Sequence, residues 1–144
     1  GGVAEALVRH CMPDKSRNTL RALEYSPLRG NESIREATIP VGDREIKLAV
    51  VHGLINAQKL LKEIDEGTAY YDLIEVMTCP NGCVGGAGQP YGLKAKKQAR
   101  SAGLYATDRS APFKRAEYNP GVTSILQKLT HEQRHELLHV SYQK

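Results

Sequence analysis

The stretch Glu75 to Pro90, EVMTCPNGCVGGAGQP, constrains the chain more than any other. Two thiols, Cys79 and Cys83, lie four residues apart, and three glycines follow within five residues of the second. Glycine gives the backbone left-handed freedom and removes side-chain bulk, so the segment reads as a tight loop whose amides can approach a ligand closely. The ligands such a loop serves are a phosphate, a zinc ion or a redox cluster. A phosphate loop opens a helix and carries a Lys-Ser/Thr pair, whereas Gln89-Pro90 closes this loop. A zinc ribbon needs two C-x-x-C pairs, whereas here there is a single C-x-x-x-C. A redox dithiol normally uses C-x-x-C. Thiolates are the natural ligands of iron–sulfur clusters, whose potentials depend on backbone hydrogen bonds and solvent exclusion. Gly82, Gly85, Gly86 and Gly88 would let the chain pass close to such a group, and Met77 could pack its polarizable thioether beside it. On chemistry alone iron–sulfur stands modestly above zinc.

The surrounding pattern is that of an α/β sheet layer. Ala37, Ile39 and Val41 alternate, Gly42-Asp43 turns the chain, and Ile46, Leu48 and Val50 alternate back into the apolar run AVVHG, which predicts a hairpin over Ile34–Val51. A helix over Asn56–Glu66 follows, with Asn56 as its cap, Ala57, Leu60, Leu61 and Ile64 as its apolar stripe, and Gly67 as its end. Tyr70–Met77 reads as a short strand, so the cysteine loop leaves the carboxyl end of a strand, the usual ligand edge of open α/β sheets. Val3, Leu7 and Cys11 recur at helical spacing, predicting a helix over Gly2–Met12 that buries Cys11 and stops at Pro13. The segment CMPDKSRN reads as a connector, Leu20–Leu28 is ambiguous, and Arg29-Gly30-Asn31 reads as a turn. After Pro90 a helix with the cations Lys94, Lys96, Lys97 and Arg100 is expected, a solvated face or a docking patch for an acidic redox partner. Ser110–Pro120 reads as irregular and Gly121–Tyr142 as helical.

With 144 residues, 40% of them hydrophobic and 25% charged, the chain can bury a core. Its apolar runs are strand-sized, far short of the ~20 residues of a membrane span, and the start, GGVAEALVRH, lacks a signal-peptide layout. The missing initiator Met points to a fragment, a processed chain or a trimmed one. Three cysteines, two in one motif, argue for a reducing, cytoplasmic setting over a disulfide scaffold. A net charge of +4, no Trp and one Phe give no case for nucleic acid.

The chain also contains His135-Glu136-Leu137-Leu138-His139, an H-E-x-x-H pattern, preceded by His131. Two histidines at i and i+4 can share a zinc ion on one helix face. A third ligand is missing, because the row through His131 spans over ~10 Å of helix axis. An amphipathic terminal helix is the preferred reading, and a zinc hydrolase the remote alternative.

EVMTCPNGCVGGAGQP resembles the third cysteine motif of the iron-only (FeFe) hydrogenases, E-x-M-x-C-x-x-x-C-x-x-G-G-G-Q-P, with Ala87 at the middle glycine as the single departure. GGVAEA, LRGNESIREA and AVVHGLINA are similar to further segments of that catalytic domain. GLYATDRSAPFKRAEYNPGV through HELLHVSY resembles the family's small-subunit region. The resemblance implies one lobe of the hydrogenase fold over residues 1–100, a small mixed sheet with flanking helices, and a small-subunit-like helical tail over 101–144. It implies an H-cluster, a 4Fe-4S cubane joined to a two-iron subcluster with CO, CN and a bridging dithiolate, that reversibly reduces protons to dihydrogen. By position Cys79 would be a terminal cubane ligand, Cys83 the bridging one, and Met77 would line the two-iron pocket, with Gly82, Gly85 and Gly86 around the cofactor. The family's other two cysteines, in T-S-C-C-P and M-P-C-x-x-K, are absent, and Met12-Pro13-Asp14-Lys15 only superficially matches the second. The resemblance therefore implies a partner, the remaining N-terminal part of the hydrogenase, together with ferredoxin or NADH-linked electron-transfer subunits. It leaves this chain inactive alone. The alternative it leaves open is an iron–sulfur assembly or sensory homologue without hydrogenase activity.

Overall fold

The computed structural model describes residues 2–12, 28–30 and 32–140. The polar connector after Met12, Pro13-Asp14-Lys15 included, and most of the ambiguous Leu20–Leu28 stretch lie outside the described residues. The chain divides into two compact units, Gly1–Pro112 and Phe113–Lys144.

In the first unit a helix, α1 (Gly2–Cys11), precedes the strands β1 (Ile34–Val41) and β2 (Arg44–His52), the helix α2 (Leu54–Asp65), the strand β3 (Leu73–Met77) and the helix α3 (Lys94–Ser110). The three strands lie in the order β1-β2-β3. β1 and β2 pair antiparallel about the Gly42-Asp43 turn, with Gly42 at φ +63°. β2 and β3 pair parallel, with His52 opposite Met77. This is the small mixed sheet with flanking helices that the resemblance implies.

Strand alternation sends side chains to opposite faces, and here each face has its own helix. Ala37, Ile39, Leu48 and Val50 pack with Ala4 and Val8 of α1 and with Met12 just after it. Ala49 and Val51 pack with Ala57 and Leu60 of α2. The central strand is thus buried on both sides, with Leu48, Ala49, Val50 and Val51 at most 1% exposed. Burying one such aliphatic side chain contributes about 1.5–3 kcal/mol.

Three sequence expectations change in this unit. On α1 the row Val3, Leu7, Cys11 is the exposed one, with Val3 73% accessible and Cys11 at the surface. The buried row is Ala4, Val8, Met12, one residue later, because Glu5 and Arg9 beside it turn inward to an ion-pair cluster. Asn56 does not cap α2: Gly53 occupies that position at φ +83°, and Asn56 Nδ2 donates to the His52 carbonyl at 2.7 Å. Gly67 does end α2, its amide donating to Ile64 O and Thr68 N to Glu63 O. β3 starts at Leu73 rather than Tyr70, after Asp72 has bonded the Lys47 amide through Oδ2.

In the second unit the expected helix over Gly121–Tyr142 is two helices, α4 (Pro120–Gln127) and α5 (His131–Leu138). Asn119 caps α4 and Pro120 opens it. Thr130 and Gln133 form a capping box that starts α5 afresh. Of the Ser110–Pro120 stretch expected to be irregular, residues 111–119 are so apart from a 3-10 turn over Ala116–Tyr118, while Ser110 ends α3 and Pro120 opens α4. Among the described residues no helix is long and apolar enough to cross a membrane.

Candidate cofactor-binding loop

The parallel pairing of β2 and β3 brings both strands out at one sheet edge, and the cysteine loop leaves there. Gly53 N donates to Met77 O at 2.7 Å, tying the start of the loop to the entry of α2. Three short turns follow, closed by Gly82 N to Cys79 O (3.0 Å), Gly86 N to Cys83 O (3.2 Å) and Gln89 N to Gly86 O (3.3 Å). Asn81 and Gly82 are both left-handed, at φ +66°, and a 3-10 turn spans Gly82–Gly85. From α3, Arg100 Nη1 donates to Val84 O at 3.1 Å and Nη2 to Pro90 O at 2.5 Å. Arg100 thus braces the glycine run from both ends, while Lys94 and Lys96 remain exposed.

The glycines have separate reasons. A Cβ on Gly82 would stand 2.8 Å from Met77 Sδ and 3.5 Å from His52 Nε2. On Gly85 it would stand 2.5 Å from the Pro80 carbonyl, so this glycine serves the loop's own closure. On Gly86 it would stand 3.3 Å from Cys79 Sγ. Ala87 is exposed, which accommodates its methyl. Cys83 is exposed and Cys79 half-buried, and both are free thiols.

A cavity of about 830 Å³ opens beside the loop, and Met77, Gly82 and Cys83 line it together with Arg35, His52 and Glu5. Cys79 packs against Gly86 instead. Of the residues the sequence singles out, the structure therefore brings Met77, Gly82 and Cys83 to one cavity wall, sets Cys79 and Gly86 in mutual contact, and turns Gly85 toward Pro80.

Sequence reasoning misses the charged lining. Arg9 grips Asp108 with Nη1 to Oδ1 and Nη2 to Oδ2, both 2.9 Å. Arg29 reaches Glu5 at 2.7 Å and Asp108 at 2.5 Å, and stacks over Tyr105 at 4.8 Å. Hydrogen bonds from Arg9, and then from Arg29, hold the Asp108 carboxyl well below its usual range against the opposing effect of burial. Burial works against the Arg29 charge, but Glu5 and Asp108 outweigh it and hold its proton more tightly than usual. Burial and then the neighbouring Arg35 charge push His52 down to about 4. The available sequence signal is a charge at an inward position: Arg35 alternates in step with Ala37 and Ile39 on β1.

Two sulfur donors on a backbone stripped of side chains suit part of a thiolate-held cluster. Among the described residues no group of three or more His, Cys, Asp or Glu is placed to hold a metal, so the loop fits as a partial ligand set. The H-E-x-x-H pattern does not form a helical pair. α5 ends at Leu138, and His139 is extended at φ −123°, its ring stacked on His135 at 4.6 Å.

Residues 1–87 match the family model "Iron only hydrogenase large subunit, C-terminal domain" and residues 94–144 match "Iron hydrogenase small subunit". The NADP-reducing hydrogenase subunit HndD of Solidesulfovibrio fructosivorans is 37% identical over all of this chain and 26% of its own length. The cytosolic iron-sulfur assembly component 3 of Mus musculus is 33% identical over 99% of this chain and 31% of its own. A solved structure of a variant of the FeFe-hydrogenase HydA1 from Chlamydomonas reinhardtii superposes with a TM-score of 0.64 at 32% identity, covering 81% of this chain and 38% of that one. The chain spans roughly a quarter to a third of the length of these curated relatives.

Proposed function

Since the chain belongs to the iron-only hydrogenase family, with residues 1–87 matching the C-terminal domain of the large subunit, we propose that it is part of an iron-only hydrogenase and supplies two of the four cysteines that hold the H-cluster cubane. The observation that carries this reading is the placement of Cys83 and Met77 on one cavity wall, with Cys79 in the same glycine loop. Cys79 would be a terminal ligand and Cys83 the ligand bridging to the two-iron subcluster. When bound, the H-cluster supplies the open iron site at which two protons and two electrons give dihydrogen. The chain's own residues hold and shield. The loop carries both thiols in one short segment, Cys83 on the cavity and Cys79 against Gly86, Met77 and Gly82 line the pocket without polar side-chain groups, and Arg100 fixes the loop against α3.

Two thiolates are half a set, so the other half comes from the N-terminal part of the hydrogenase, on the same parent chain or a separate polypeptide. Alone, this chain turns over no hydrogen. Exposed Lys94 and Lys96 suit an acidic electron carrier such as a ferredoxin, and free thiols suit a reducing, cytoplasmic setting. The second reading, an iron–sulfur assembly component without hydrogenase activity, draws on the 33% identity to the mouse protein.

The test is iron and acid-labile sulfide analysis, with infrared spectroscopy, of the chain assembled with the segment carrying the remaining cysteines. Iron with sulfide, together with carbonyl and cyanide bands that vanish in Cys83→Ala, is the expected result. A cluster without those bands favours the assembly reading, and zinc alone overturns both.

A further inference from the structure

The cavity beside the cysteine loop holds three arginines, and the fold treats them differently. Arg9 and Arg29 are neutralised by Glu5 and Asp108. Arg35 is not. It projects inward from β1, 4% exposed. Its acceptors are the Leu28 carbonyl, through Nη1, and His52 Nε2, 2.9 Å from Nη2. Both are uncharged, since His52 stays neutral well below pH 7, and no carboxylate pairs with Arg35 among the described residues. Glu75, which shares the cavity, has Oε2 engaged by the Ala4 amide at 2.8 Å. Taking a guanidinium out of water without a paired anion opposes folding; the Glu75 charge is felt at His52, but Arg35 itself bonds only to uncharged acceptors.

Two donors are left over. With Nε2 accepting from Arg35, the His52 proton sits on Nδ1. Both His52 Nδ1 and Arg35 Nε are buried without a hydrogen-bond partner. His52 lies opposite Met77 in the β2–β3 register, and its Nε2 and the Met77 sulfur both close on Gly82, the residue before Cys83. Arg35, which bonds to no carboxylate among the described residues, and its imidazole neighbour therefore line the cavity that Cys83 shares.

We propose that Arg35, braced by His52, is the counter-charge of the anionic group bound at Cys83, and that this pair positions the group and sets its reduction potential. The proposal rests on the reading of Cys79 and Cys83 as cluster ligands. A thiolate-ligated iron–sulfur cluster is anionic and becomes more so on reduction, so a fixed positive charge nearby favours the reduced form and raises the potential. Arg35 is a positioning residue here, not a catalytic one.

The experiment uses the chain assembled with the segment that supplies the remaining cysteines, first metal-free and then loaded with ferrous iron and sulfide. Arg35→Met keeps the length and removes the charge; Arg35→Lys keeps the charge. In the metal-free protein, Arg35→Met is expected to melt at or above the wild-type temperature, because a buried unpaired cation is gone. In the loaded protein it is expected to lower the cluster's midpoint potential, followed by electron paramagnetic resonance, by at least a tenfold shift in the one-electron equilibrium, about 59 mV. Arg35→Lys should keep most of the wild-type value, and His52→Leu should lower it by less than Arg35→Met. A metal-free Arg35→Met that melts early, with a loaded potential equal to wild type, makes Arg35 a mere strut for the Leu28 carbonyl and overturns the inference. A wild-type protein that takes up no iron and sulfide overturns the cluster reading and this inference together, whereas a cluster that loads and ignores Arg35→Met overturns the inference alone.

Discussion

Arg9 on α1 and Asp108 on α3 meet fork to fork, two parallel N–H···O bonds of 2.9 Å across 99 residues of sequence. Bidentate guanidinium–carboxylate pairs combine strength with fixed geometry. This one joins the segment that matches the large-subunit domain to the segment that matches the small subunit. Arg29 leans on the same carboxylate at 2.5 Å.

Asp108→Asn keeps the shape and removes the charge that both arginines share. Arg9 and Arg29 are each under a tenth exposed, so the loss leaves buried cations short of an anion. Destabilisation of about 3 kcal/mol is expected, the low end for a broken buried pair because Asp108 itself is 29% exposed. Urea unfolding measures it, and a change under about 0.5 kcal/mol would show that the fork contributes nothing. The acid limb gives a second check. The native carboxyl is held below its ordinary value, so its stabilisation is complete above pH ~4 and drains away as pH falls through the native value. The variant should lack that part of the acid slope.

His52 titrates in the opposite sense to a paired acid. Its native value of about 4 lies below the ordinary 6.5, with burial first and Arg35 second as the causes. The unfolded chain therefore binds a proton between those values and the native one does not, so stability falls as pH drops from 6.5 to 4 and then levels. His52→Asn, which cannot charge, should flatten that window. A slope between pH 6.5 and 4 that is the same in both proteins would rule out His52 as its source.

These two predictions mark where the sequence stops being legible. The hairpin could be read because alternation and a Gly-Asp turn are local, and Gly42 sits at φ +63° as that turn needs. The cysteine loop could be read because its motif is long. The face of α1 could not, since Val3-Leu7-Cys11 and Ala4-Val8-Met12 are equally good helical rows, and only the inward pull of Glu5 and Arg9 decides between them. Asp108 gives no sign of Arg9 and Arg29, which lie 99 and 79 positions away. Arg35 could have been read as inward only from its alternation with Ala37 and Ile39, and nothing local names its partners. Thr130 and Gln133 were a visible capping box hidden by the apolar spacing on either side.

The glycines of the loop should separate by mechanism. Gly85→Ala forces a Cβ to within 2.5 Å of the backbone carbonyl of Pro80, which only a backbone shift relieves. A cost of about 2–3 kcal/mol is expected. Gly82→Ala meets the flexible end of Met77 but must hold φ +66°, at about 1–2 kcal/mol. Gly86→Ala, 3.3 Å from Cys79 Sγ, should cost under about 1 kcal/mol while slowing the reaction of Cys79 with a thiol reagent. Chemical denaturation ranks the three, and a Gly86 variant as damaging as the Gly85 one would contradict the geometry.

Arg100 offers the sharpest test of how the loop is held. Its two guanidinium nitrogens reach carbonyls on either side of the glycine run, Val84 O and Pro90 O. A lysine ammonium is a single point and cannot reproduce the planar fork, so Arg100→Lys should recover only one of the two contacts. Arg100→Met should lose both, about 1.5–3 kcal/mol for each hydrogen bond to a charged group when fully buried, and less here because one of the two contacts is exposed. Global unfolding is the wrong probe, since the loop can open while the sheet stays closed. Amide hydrogen exchange at Gly86 and Gln89, whose N–H groups close the second and third turns, should quicken in Arg100→Met and quicken less in Arg100→Lys. The amides of α2 should not change. If Gly86 and Gln89 keep their protection without Arg100, the turns are held by their own backbone bonds and the contact from α3 is incidental.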